Sequence, residues 1–158
     1  MAPDLGTAIA GALVPALILS VGWLINPDFP DNLPLLTYIT VAFTLAGLLV
    51  SMLYLKNARG MPTWLAWAVV FLVATNFYFL YYGTSIMSEG PYLFFSMLTL
   101  YLAEQHYRPD RPKLLAALII LSVLTFYTRG FGITLMAGIG TWLLLNRHLR
   151  QAVIYGVA

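Results

Sequence analysis

"YYGTSIMSEGPYLFFSMLTLYL", residues 81–102, sets a short polar turn between two apolar runs, with one carboxylate, Glu89, at the junction. A carboxylate flanked this way is costly at membrane depth unless it faces water, a partner charge or a helix end. The apolar runs decide the fold class. The chain of 158 residues repeats this alternation throughout; it is 61% hydrophobic and 9% charged, with a mean hydropathy of +0.84. So little charge does not cover a water-soluble surface. The composition predicts an all-α fold, a polytopic transmembrane helix bundle making a single domain over 1–158.

Six spans are expected, at about 7–25, 34–55, 62–82, 90–105, 112–128 and 131–146, and the last ten residues have the composition to open a seventh. The last three are near 16 residues, short for roughly 30 Å of hydrocarbon. They either recruit flanking residues or are irregular segments around a polar cavity. Pro34, Pro62, Pro91 and Pro112 stand where a first helical turn accepts proline. Pro15 falls inside the first span, where it is placed to kink it. Ala8, Ala12 and Ala16 form a small-residue stripe suited to close helix contact.

Charge placement orders the spans. Lys56 and Arg59, then Arg108, Arg111 and Lys113, then Arg147 and Arg150 fall in three loops on one side, seven of the eight basic residues. The positive-inside rule makes that side cytoplasmic. The chain is thus expected to be a multi-pass integral membrane protein, of a bacterial inner membrane or the endoplasmic reticulum. His106 and His148 lie in the same basic loops and read as solvated. Trp64 and Trp67, with "NFYFLYY" at 76–82, read as interfacial anchors. The absence of cysteine excludes disulfides and thiolate chemistry, and a net charge of +2 is too small for a nucleic-acid partner. "MAPDLGTAIAGAL" lacks the basic start of a cleavable signal and reads as the opening of a first span.

The opposite face gathers three polar stretches, "NPDFPDN" (26–32), "TSIMSEG" (84–90) and "FYTRGFG" (126–132). Glu89 has two readings: a helix-start residue, with Ser88 or Glu89 itself capping, or a carboxylate facing a wet cavity. Arg129 is the one basic residue on this side. It reads as a helix C-terminal charge followed by Gly130 in a left-handed conformation, as a salt-bridge partner of Glu89, or as a clamp for a phosphate. Asp28 and Asp31 read as a polar loop, or as a source of a general base for an acceptor hydroxyl. No histidine joins them, so no metal site is supported and no cofactor is expected. Gly130, Gly132, Gly138 and Gly140 loosen the sixth span, by mobility or by close packing.

The run from "NLPLLTYITVAF" through "SIMSEGPYLFFSMLTLYL", with its proline-bearing loop, short basic turn and Ser88-Glu89 pair opening a helix, resembles integral-membrane glycosyltransferases of the GT-C type. Protein O-mannosyltransferases and lipid A aminoarabinose transferases are the nearest in pattern. "FYTRGFGITLMAGIGTWLLLNR" is similar to the later R-x-x-G hairpin of such enzymes, with Arg129 as its arginine. The resemblance covers roughly 27–150 and implies sugar transfer from a polyprenyl-phosphate donor on the non-cytoplasmic face. It implies Arg129, Glu89 and Ser88 at the donor phosphate, and Asp28 or Asp31 as the acceptor's base. Membrane lipids and the remainder of a larger enzyme, or another membrane subunit, are the expected partners. The first outer loop is much shorter than in that family, and the chain ends inside an apolar run, as a fragment or small relative would. The competing expectation is a non-catalytic transporter or scaffold subunit carrying a Glu89–Arg129 charge pair.

Overall fold

A computed structural model of the chain describes residues 12–106 and 112–157. Among these the protein is all-helical, without strands. The helices are α1 (Leu13–Ile25), α2 (Leu33–Leu53), α3 (Thr63–Ala74), α4 (Phe77–Thr84), α5 (Glu89–Tyr101), α6 (Pro112–Thr128), α7 (Gly132–Leu145) and α8 (Leu149–Val157). Widened π-type turns, Tyr54–Ala58 and Leu102–His106, prolong α2 and α5. Pro34, Pro91 and Pro112 lie in first turns and Pro62 caps α3, as their missing N–H requires. Pro15 also falls in the first turn of the described α1, where its missing N–H is tolerated. A left-handed Gly60 (φ 65°) turns the chain from α2 into α3.

Among the described residues, the α2 helix with its π turn, Leu33–Ala58, is the continuous segment long and apolar enough to cross a membrane, at 26 residues. The expected third span is not one straight helix. α3 and α4 meet at 72° around Thr75 and Asn76, where the Asn76 side chain accepts from the Tyr78 and Phe79 N–H groups and starts α4 afresh. α1, α6 and α7 are apolar but shorter.

Three close approaches fix how α2 and α5 lie. Thr44 meets Gly90, Gly47 meets Leu93, and Tyr54 hydrogen-bonds Glu104, so both helices advance together and run parallel. Parallel neighbours need an element between them, and α3–α4 supplies it. α3 packs Ala66 and Val70 against Met52, and α4 ends with the Gly83 carbonyl accepting from Thr44 Oγ1 at 3.2 Å. Beyond α5, the core gathers Ala103, Leu115, Leu118, Ile139, Leu143, Ala152 and Tyr155 from α5's π turn, α6, α7 and α8.

Helix contacts are made through small and hydroxylated residues. Thr40, Thr44, Thr99, Ser122, Thr125 and Thr128 are buried, and all but Ser122 bond a carbonyl four residues back in their own helix. Ser122 instead accepts from the Tyr155 hydroxyl at 2.6 Å. The outer surfaces are apolar: Leu24, Trp64, Phe77 and Leu145 are all more than 70% exposed. Water would oppose such a surface and lipid would not.

Two smaller expectations change. α1 contacts its neighbours through Val14 and Gly22, whereas Ala12 and Ala16 are exposed; Ala8 lies outside the described residues. Gly22 fits because a side chain there would meet Leu36 and Ile39. His148 is half-buried rather than fully solvated, and its backbone N–H donates to the Leu143 carbonyl. The His106 side chain, Arg108 and Arg111 lie outside the described residues.

Candidate functional site

Glu89 opens α5 and Arg129 closes α6, and the two side chains meet. Arg129 Nη1 lies 2.9 Å from Glu89 Oε1, with the side chains 39% and 28% exposed. Each is delivered by a glycine-dependent junction. Gly90 lets α5 begin in contact with α2. Gly132 starts α7 directly on the end of α6, where a Cβ would lie 2.5 Å from the Phe126 backbone nitrogen. The Arg129 N–H donates to the Thr125 and Phe126 carbonyls, and its guanidinium lies 6.0 Å from the Phe131 ring centre.

The sequence readings of the two residues are sharpened accordingly. Gly130 is not left-handed; among the described residues the positive-φ glycine is Gly60. Ser88 precedes α5 but its side chain makes no capping hydrogen bond, so the capping reading fails for it. Glu89 spends its carboxylate on Arg129 while also sitting at the favourable positive end of α5.

The pair lines an apolar cavity of about 340 Å³ whose walls include Tyr78, Phe79, Tyr82 and Leu93. Its depth is set by α2. Thr44 also lines it, and stands eleven residues beyond Leu33, about 16 Å along the helix. The charge pair is therefore recessed from the 26–32 loop, not level with it. Asp28 and Asp31 are exposed in that loop, line no part of this cavity, and form no salt bridge among the described residues. Ser88 does not line it either. The structure thus joins two of the five expected site residues and leaves three aside.

A second polar cluster was not foreseen. At the far end of α5, Arg59 Nη1 meets Glu104 Oε1 at 2.8 Å, and the Tyr54 hydroxyl donates to Glu104 Oε2 at 2.7 Å. Asn57 Nδ2 donates to the Tyr101 hydroxyl at 3.1 Å alongside. This cluster closes one end of a cavity of about 660 Å³ between α5 and α7. Tyr92 lines both cavities and so stands between the two ion pairs. Charge counting put the ends of the second and fourth spans on one side, but a pair 45 residues apart carries no local signature.

No group of three or more His, Cys, Asp or Glu gathers among the described residues. No protein-family model, curated protein or solved structure matches the chain.

Proposed function

We propose that the chain is a multi-pass membrane protein supplying the donor site of a glycosyltransferase that uses a polyprenyl-phosphate-linked sugar. The observation that carries this reading is Arg129, a guanidinium set into an otherwise apolar, aromatic-walled cavity with Glu89 beside it. A lipid phosphate has the matching halves: an anion for the arginine and a prenyl chain for the cavity. In the reaction the bond between the anomeric carbon and the phosphate oxygen breaks. The anomeric carbon bonds to an acceptor oxygen, and that oxygen's proton passes to a carboxylate. Arg129 would stabilise the charge left on the departing lipid phosphate, and Glu89 would hold the guanidinium in place through one N–H and leave the others for the ligand.

Asp28 and Asp31 stay in the proposal as the acceptor's base. A base works within hydrogen-bond reach of the hydroxyl it deprotonates, so this assignment requires the 26–32 loop to descend over the pair when both substrates are bound. No metal or cofactor is invoked.

A second reading is favoured by one observation. The 72° break between α3 and α4 is the interrupted helix typical of a transporter's binding region, and Glu89 and Arg129 already neutralise each other. In that reading the protein is non-catalytic, and the pair lines a polar path or closes a subunit interface.

Titrating purified protein with a polyprenyl-phosphate sugar separates the two. The transferase reading expects Arg129→Ala to lose at least tenfold in affinity, with release of free polyprenyl phosphate when acceptor is added to wild type. Equal affinity in wild type, Arg129→Ala and Glu89→Gln would sink it.

A further inference from the structure

The cavity between α5 and α7 is independent of the Arg129 pair and has its own recognition chemistry. On α5 and its π turn it is lined by Tyr92, Ser96, Leu100 and Glu104, spread over twelve residues, about 18 Å. Facing it on α7 are Thr134, Gly138 and Trp142. Its volume, about 660 Å³, falls within the range of small-ligand sites. Gly138 leaves the middle open: a Cβ there would meet nothing within 4 Å.

The two ends of the cleft differ. One is lined by Tyr92 and Thr134. The other holds the Arg59–Glu104 pair with the Tyr54 hydroxyl, and the Arg59 side chain is 57% exposed. Glu104 Oε1 accepts one guanidinium N–H, and the exposed Arg59 side chain carries further donors that can serve a ligand. Lys56, exposed on the same π turn, makes the local charge net positive. By the positive-inside rule this end faces the cytoplasmic leaflet, whose lipids are anionic.

We infer that this cleft is a binding site for an anionic phospholipid of the cytoplasmic leaflet, with the phosphate at Arg59 and one acyl chain lying along α5 past Gly138 toward Tyr92. Both halves of the ligand find their match: a cation with free donors at the wet end, and a long, mostly apolar slot behind it. The inference rests on α2 lying in a bilayer and does not depend on the transferase reading, because it uses neither Arg129 nor Glu89.

The test uses Trp142, which lines the slot, as a reporter. Full-length protein with Trp23, Trp64 and Trp67 changed to Phe is placed in nanodiscs containing phosphatidylglycerol or phosphatidylcholine, each brominated along the acyl chain. Phosphatidylglycerol is expected to reach half-maximal quenching at a roughly fivefold lower mole fraction than phosphatidylcholine. Arg59→Gln should abolish that preference, Arg59→Lys should retain most of it, and Gly138→Leu should weaken quenching by both lipids. Millimolar inorganic phosphate should leave the quenching unchanged. Equal quenching by the two lipids, or a preference that survives Arg59→Gln, would overturn the site. Quenching relieved by inorganic phosphate would overturn the role of the acyl chain. If Arg59→Gln fails to fold, as its circular dichroism would reveal, the wild-type lipid comparison and Gly138→Leu still decide.

Discussion

Gly90 lies so close to Thr44 that a Cβ on it would stand 2.5 Å from the threonine Oγ1 and 2.9 Å from the Thr40 carbonyl oxygen. Glycine is what lets α5 begin against the middle of α2, and with it Glu89. Gly90→Ala is expected to lower stability by about 1–3 kcal/mol through overpacking, read as a fall in melting temperature in detergent. Thr44→Ala in the same chain should return only part of that loss, because the Thr40 carbonyl is backbone and stays in place. Full additivity of the two changes would mean that the helices do not touch as described.

The α6–α7 hairpin offers a contrast among glycines. Gly132→Ala forces a Cβ onto the Phe126 backbone and should destabilise by more than about 1 kcal/mol. Gly130→Ala, in the turn, meets open space and should be near neutral, and Gly138→Ala, inside α7, should be neutral or slightly stabilising because alanine suits a helix better. Comparing the three melting temperatures checks the close approach that delivers Arg129.

Glu89 and Arg129 should behave as a unit. Removing either charge leaves the other in an apolar cavity, at a cost of about 1–3 kcal/mol. The cost stays below that of a fully buried pair because the side chains keep 28% and 39% of their exposure. The double variant Glu89→Gln, Arg129→Gln is expected to recover most of this loss. A double-mutant cycle on unfolding, with an interaction energy indistinguishable from zero, would remove the pair from the description.

How much of this was legible beforehand can be traced to particular residues. The helix bounds around Pro34, Pro62, Pro91 and Pro112 followed from proline chemistry and apolar run length, both local properties. The pairing of Arg129 with Glu89 was open in the sequence because charge counting put both on one side, but a count of sides carries no depth. Depth depends on Gly83 and Gly90 docking at Thr44, a contact between segments about 40 residues apart. The α3–α4 break was missed for a related reason. Thr75 and Asn76 are two mildly polar residues in an apolar run, and only the capping geometry of Asn76 turns them into a bend.

Asn76→Ala removes two hydrogen bonds from the start of α4 and should cost about 1 kcal/mol. It should also loosen the turn that leads to Glu89. Faster amide hydrogen exchange at Tyr78 and Phe79, with α6 unaffected, is the expected signature.

The chain's lack of cysteine makes sidedness directly measurable. Single variants Asp31→Cys and Asn57→Cys should react with a membrane-impermeant maleimide from opposite sides of sealed vesicles. Met87→Cys, in the recessed turn before α5, should react from the Asp31 side but more slowly. Labelling of Asp31→Cys and Asn57→Cys from the same side would rule out α2 as a crossing helix.

The bend between α3 and α4 has a consequence for the lipid around it. Residues 63–84 together have the apolar length of a crossing, yet the 72° turn shortens the distance they span along any one axis. In a bilayer, acyl chains abutting α4 would find no full-height wall there, and the adjoining leaflet would thin or admit water beside the bend. A headgroup can then sink to meet Arg129, and the arginine has no need to rise to the surface. On the donor-site proposal, the lipid phosphate would reach Arg129 through membrane thinned beside the bend.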